Sequence, residues 1–350
     1  MKAVSYAAYR ATPVLADVPE PGCPPDGVVI AVGATGVCRS DWHAWQGHDP
    51  VRLPHIPGHE LAGTVAQAGP EVTRWRPGDR VTVPFACGCG RCAYCRAGAA
   101  QVCPQQTQPG FTLPGSFAER VAVHAADLNL VALPAGVGFV TAASLGCRFA
   151  TAFRAVTGHG RPGPGDWLAV HGCGGVGLSA TMIAASRGAR VIAVDVAPAA
   201  LARAAELGAQ HTVQAGPGTD PADVIADITG GGAHVSIDAL GAPATAASSL
   251  RCLRPRGRHV QVGLLIGPDA SPPLPMSLVI ARELEIYGSH GMAARDYPAL
   301  LAQVADGTLR PELLLGAVIG LADAGRALAD LDRPARVAGL TVIDMAQQAR

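Results

Sequence analysis

The sequence predicts an α/β chain of two parts: a β-rich N-terminal domain that carries a metal-binding lobe, and a doubly wound parallel sheet of six strands. Three observations predict it. Between Trp167 and Gly288, short apolar runs alternate with helical patterns, as strands do when helices cover both faces of a parallel sheet. Ahead of them, valine-dense segments recur between Pro-Gly and Gly-His turn signals. Inside that β-rich part lies C-x2-C-x2-C-x7-C, formed by Cys89, Cys92, Cys95 and Cys103. Four thiols this close in one loop can converge on a tetrahedral zinc. At 350 residues the chain has room for roughly two domains.

The elements follow in order. Val28–Val32, Leu61–Ala66, Arg80–Phe85 and Phe117–Val123 read as strands, with the cysteine lobe (about 86–104) as an excursion between the last two. After Cys147 the pattern changes. Trp167–His171 is a short apolar strand, and GCGGVG then opens a helix that runs to Arg187. Val191–Asp195 is the next strand, followed by a helix from Pro198 to Leu207 that Gly208 stops. Strands at His211–Val213, His234–Asp238, Arg258–Gly263 and Glu283–Gly288 complete the sheet, with helices over Pro221–Thr229 and Ala242–Leu253 between them. Past Gly291 come a helix, a loop and a last strand, Gly339–Ile343, expected to return to the first domain. The predicted partition is therefore 1–148 with 291–350, and 149–290.

Charge is balanced, 27 basic against 27 acidic residues, which gives no electrostatic footprint for nucleic acid or an anionic membrane. No apolar stretch is long enough to span a bilayer, and the first residues lack the apolar core of a signal peptide. The reading is a soluble, cytoplasmic protein. Its ten cysteines are clustered, and in a reducing compartment clustered thiols more often bind metal than pair as disulfides. Cys87 lies beside the run and could replace Cys89, but the even spacing favours Cys89.

Gly172, Gly174 and Gly177 form G-x-G-x-x-G, with Gly175 and Val176 completing the turn. Alone the pattern is weak in a chain of 43 glycines. Here it follows a strand, opens a helix, and stands 18 residues ahead of Asp195 at the end of the next strand. Gly172 permits the tight turn, Gly174 lets a pyrophosphate approach the backbone, and Gly177 lets the helix pack on the sheet. The helix N-terminus offers N–H groups to phosphates. Asp195 is placed to accept from the adenosine ribose hydroxyls and would repel a 2′-phosphate, so NAD is expected over its phosphorylated form. Cys173, inside the loop, is either a thiol activated by the helix N-terminus or a small side chain that fits.

GVCRSDWH (36–43), GHELAG (58–63), the cysteine run, LGCRFAT (145–151), GCGGVG and Asp195 together resemble the zinc-dependent medium-chain alcohol dehydrogenases along essentially the whole chain. The resemblance implies a GroES-like catalytic domain and a Rossmann domain. It also implies two zinc ions per chain, a catalytic one on Cys38, His59 and Cys147 and a structural one on the four clustered cysteines. It implies hydride transfer between NAD and a primary or secondary alcohol, giving an aldehyde or ketone. Ser40 and His43 then carry the proton, Asp41 orients His59, and Glu60 is the inner carboxylate that can approach the metal. Arg39 faces the pyrophosphate, Thr151, Val262 and Leu264 join the cofactor site, and Trp45, Phe85 and Leu264 line the alcohol pocket. The chain's short length implies the tetrameric branch, with a dimer as the alternative.

Two departures stand out. Gly339–Leu340 replaces the Gly-Arg that often precedes the last strand in that family, and Trp42 replaces a smaller or polar residue. Polyol and amino-alcohol dehydrogenases are the near alternative, although they usually carry glutamate where Cys147 stands. Zinc-free quinone reductases lack both cysteine sets. A zinc-ribbon nucleic-acid module is disfavoured by the neutral charge and by the dispersed ligands.

Overall fold

In the structure, a computed structural model, residues 1–333 and 339–347 are described. The chain divides into two compact units, Met1–Ala150 with Gly291–Arg350, and Thr151–His290.

The first unit is built on one long strand, β1 (Val28–Val37). Its first half pairs antiparallel with Arg120–Val123, its second half with Leu340–Asp344, and its whole length with β2 (Glu60–Ala68). Arg80–Thr82 and Val131–Ala132 extend the sheet beyond β2. Val28, Ile30, Val32, Leu61, Val65, Val81, Val121 and Val123 bury their side chains in one cluster, each worth about 1.5–3 kcal/mol of apolar transfer when fully covered. The sequence reading ends this strand at Val32. The strand instead continues through Gly33, where the ladder slips between Val32 and Ala34. A glycine inside a strand marks such an irregularity as readily as it marks a stop. Arg80–Phe85 is cut short at Thr82, ahead of Pro84, which has no N–H for a ladder. A second addition is the run from Phe139 to Gly160, to which the sequence reading assigns no element and which is helical here, with the π-helical turn Leu145–Phe149 inside it.

The second unit is a six-stranded sheet whose paired strands are all parallel. Its strands are β3 (Trp167–His171), β4 (Arg190–Asp195), β5 (Ala209–Gln214), β6 (Ala233–Asp238), β7 (Leu253–Gln261) and β8 (Glu285–Gly288). Their spatial order is β5-β4-β3-β6-β7-β8. The chain order therefore reverses between β3 and β6, and a crevice at the carboxyl ends of such strands is the general ligand position in open α/β sheets. Every residue of β3 is buried, as a central strand covered on both faces requires. Trp167, Ala169, Ile192, Val194, Val213, Ile225 and Leu250 fill one side.

Candidate active site

The register of the first unit brings the distant ligands together. Gly36 pairs with Glu60 across β1 and β2, so Cys38, just past one strand end, lies beside His59, just before the other strand begins. Two close approaches fix this junction. A Cβ on Gly36 would sit 2.2 Å from Glu60 Oε2, and a Cβ on Gly146 would sit 2.9 Å from the Glu60 Cα. The missing side chain at Gly146 lets the π-helical turn press on Glu60 and deliver Cys147. One ligand atom each from Cys38, His59, Glu60 and Cys147 lies within 4.8 Å of the others.

Cys38 also caps the helix α1 (Arg39–Gln46). Asp41 on its first turn is fully buried and accepts three N–H groups: Cys38 N at 3.1 Å on Oδ2, and Gly58 N at 3.0 Å and His59 Nδ1 at 2.9 Å on Oδ1. The carboxylate thereby assigns the His59 proton to Nδ1. Nε2 is left buried without a partner, an acceptor lone pair with nothing to accept. Burial opposes charge on His59, but Asp41 holds its basicity well above the ordinary imidazole value. The Cys38 thiol lies well below its usual range: the Cys147 S–H donates to it, and Arg148 and His59 favour the thiolate against the cost of burial. A buried imidazole nitrogen with no partner, a thiolate and a second thiol form a donor set suited to zinc. Glu60 is buried, which pushes its carboxyl up despite an ion pair to Arg148.

Ser40 is half-buried, with its Oγ 3.9 Å from Cys38 Sγ. His43 Nδ1 lies 3.1 Å from His48 Nδ1. Burial, with His48 and Arg39 nearby, lowers the His43 pKa, so the ring is neutral near pH 7. Trp42 gains a rationale: the Arg39 guanidinium lies 4.9 Å from its ring centroid, and its edges meet His43 and His48. Phe85 and Phe111 flank His59, with ring centroids 6.1 and 5.1 Å away. Trp45 is packed with Val37, Phe117, Leu328 and Ile343, and its Nε1 donates to Ala11 O at 2.7 Å. Leu340 is buried in the closing strand opposite Leu315 and brings no cation.

Cys89, Cys92, Cys95 and Cys103 form a second cluster by the same 4.8 Å measure. Cys92 Sγ caps the short helix Ala93–Arg96 by accepting from Cys95 N, and Cys103 Sγ accepts from Cys89 N, each at 3.4 Å. N–H groups aimed at sulfur favour thiolates, and the Arg91 N–H, chief among them, brings Cys89 down to about 6. Cys87 stands outside this cluster. Its S–H donates to Pro84 O, and burial raises its thiol to about 12.

In the second unit, helix α2 (Gly175–Ser186) begins directly after Gly174. Gly172 has φ +91, and a Cβ on Gly177 would lie 1.7 Å from Gly172 O, so both glycines are obligatory. Gly174 is exposed and a Cβ there meets nothing within 4 Å, which leaves the backbone open to a phosphate ahead of the N–H groups of Gly175 and Val176. Asp195 Oδ2 accepts Cys173 N at 2.7 Å and Oδ1 accepts Ala197 N at 2.9 Å, so this carboxylate ties the phosphate turn to the loop after β4. Cys173 points inward toward Val194 O, and burial raises its thiol to about 12, which identifies it as the small side chain that fits. Thr151 is buried. Val262 N donates to Asp238 O, and Leu264 is exposed.

Sequence reasoning missed Arg148, Phe111 and His48. A carboxylate directly after a buried histidine requires a counter-charge, and Arg148 directly follows Cys147, so that partner was the traceable one. No helix among the described residues is long and apolar enough to cross a membrane.

Residues 24–135 match the family described as alcohol dehydrogenase GroES-like domain, and residues 175–306 match the family described as zinc-binding dehydrogenase. An alcohol dehydrogenase of Geobacillus stearothermophilus is 33% identical over 313 residues, 89% of this chain and 90% of its own. A sorbitol dehydrogenase of Halalkalibacterium halodurans is 33% identical over 291 residues, 81% of this chain and 82% of its own. Among solved structures, alcohol dehydrogenase TADH from Thermus sp. ATN1 superposes with a TM-score of 0.91 at 31% identity, covering 98% of this chain and 99% of that one.

Proposed function

We propose, from the premise that the chain belongs to the zinc-binding medium-chain alcohol dehydrogenase family, that it interconverts a primary or secondary alcohol with its aldehyde or ketone, using NAD. The observation that carries this reading is the convergence of buried Cys38 and His59 with half-buried Cys147, with His59 Nδ1 committed to Asp41 and Nε2 unpartnered. These three residues would hold the catalytic zinc, and the four clustered cysteines a structural one. When bound, zinc polarises the substrate oxygen and the nicotinamide exchanges the hydride.

The chain's own residues supply the rest. Ser40 takes the substrate proton, and His43, neutral near pH 7, passes it outward. Asp41 holds the His59 tautomer. Phe85 and Phe111 give the site an apolar wall that excludes water, and Trp45 is assigned to the alcohol slot by resemblance. In the second unit, Gly172, Gly174 and Gly177 shape the turn for the pyrophosphate. Asp195 still has acceptor capacity on both oxygens for ribose hydroxyls and disfavours a 2′-phosphate. A cytoplasmic homotetramer completes the reading, and sedimentation tests its assembly.

The decisive experiment follows reduced-nicotinamide absorbance with ethanol, benzyl alcohol, cyclohexanol and sorbitol, in both directions and with both dinucleotides. Turnover with NAD that chelation abolishes and zinc restores supports the proposal. Turnover confined to sorbitol moves the assignment to the polyol branch, and zinc-independent turnover overturns the role of Cys38, His59 and Cys147.

A further inference from the structure

Glu60 is fully buried and would be an isolated charge without a partner. Arg148 is that partner, and it binds through three donors. Its backbone N donates to Oε1 at 3.2 Å, its Nε donates to Oε1 at 3.0 Å, and its Nη2 to Oε2. The guanidinium fork fixes the carboxylate plane as well as neutralising it. Gly36 and Gly146 close two further sides, since a Cβ at either would strike Glu60. Yet a Glu60 oxygen remains within 4.8 Å of the ligand atoms of Cys38, His59 and Cys147. This carboxylate is within reach of the ligand set while both of its oxygens are engaged by Arg148.

We propose that Arg148 is a positioning residue that withholds the Glu60 carboxylate from the ion held by Cys38, His59 and Cys147. The inference rests on that ligand assignment. Charge supports it independently of geometry. Two thiolates and Glu60 carry three negative charges, and Arg148 reduces the total to two, the complement of a divalent cation. Losing Arg148 would both free a fourth protein ligand and strengthen the attraction for the cation. Both effects tighten metal binding, whereas an arginine that merely held the fold would, on removal, loosen the site.

The test uses cobalt(II) in the full chain, with apparent affinity measured by chelator competition and visible d–d bands read as the difference from Cys38→Ser. That difference isolates this site from the four-cysteine lobe. For Arg148→Gln, affinity rises about tenfold, the lower end of what partners of metal ligands contribute. The d–d bands shift as a Glu60 oxygen joins the ion and alters its ligand field. Arg148→Gln with Glu60→Gln restores the charge balance and returns both readouts toward the native values. If Arg148→Gln does not yield folded protein, Arg148→Lys, which keeps the charge and loses the fork, gives bands between the two. Unchanged bands, or affinity that stays level or falls in Arg148→Gln, overturn the proposal, as do native bands in Arg148→Lys. Cys38→Ser that still binds two cobalt ions per chain would instead overturn the ligand assignment.

Discussion

Asp41→Asn tests how the metal site is organised. The native carboxylate accepts from Cys38 N on one oxygen and from Gly58 N and His59 Nδ1 on the other. Asparagine keeps one oxygen and presents an NH2 in place of the second. In either orientation an NH2 faces an N–H, so at least one buried donor loses its acceptor. In the better orientation, toward Gly58 and His59, only Cys38 N is orphaned, at a cost of about 1–3 kcal/mol. For a unit of this size that corresponds to a fall in melting temperature of about 2–12 °C. The metal feels a separate effect, because a neutral oxygen supports the basicity of Nε2 less well than a carboxylate does. Partners of this kind are worth about 10–100-fold in metal affinity. The assay is competition between protein and a chromogenic chelator at pH 7, with melting measured in zinc excess and under chelation. Of the two ions per chain, one should leave earlier than in the native protein while the other is unaffected. Release of both ions at the native rate, with unchanged melting, would refute the reasoning.

Three further outcomes follow. Cys95→Ser should reduce zinc from two ions to one per chain by elemental analysis and lower the melting temperature while hydride transfer in the surviving folded protein persists; native zinc content and melting would remove the four-thiol claim. Gly177→Ala places a Cβ 1.7 Å from Gly172 O, a backbone atom that cannot rotate away, and overpacking of about 1–3 kcal/mol, if borne by the cofactor turn, translates to about 5–150-fold weaker NAD binding by fluorescence titration; native affinity would contradict it. His171 is buried in β3, and burial lowers its pKa to about 3. The unfolded chain, with an ordinary imidazole near 6.5, therefore binds a proton first as pH falls. Stability from this group is complete above about pH 6.5 and declines below it, by about 2 kcal/mol at pH 5. Urea midpoints at pH 7 and 5 should converge in His171→Gln by that amount, and an unaltered pH slope in the variant would count against the assignment.

Much of the second unit was legible because its signals are local. The glycine turn, the strand before it and the acidic residue after it occupy a single stretch, and β3 is predicted to the residue. The first unit was less legible. Cys38 and His59 meet because Gly36 pairs with Glu60, Cys147 joins them through the turn at Gly146, and linear spacing carries no information about either. For the same reason resemblance, rather than periodicity, named the ligand set. The strand read as ending at Val32 slips at Gly33 and continues. Gly146, which the sequence shows only as part of a motif, admits the turn that carries Cys147. The Arg148–Glu60 pair joins residues 88 apart in sequence, a contact that only the fold reveals.

The two-sided tie made by Asp195 bears on redesign. A variant intended to accept the phosphorylated dinucleotide would ordinarily begin by removing that carboxylate. Here the same change releases Cys173 N and Ala197 N, slackening the bend on which the diphosphate must rest. Val196, adjacent and 69% exposed, carries no such duty. An arginine introduced there, with Asp195 retained at first, offers a cation to the incoming group while the bend keeps its shape.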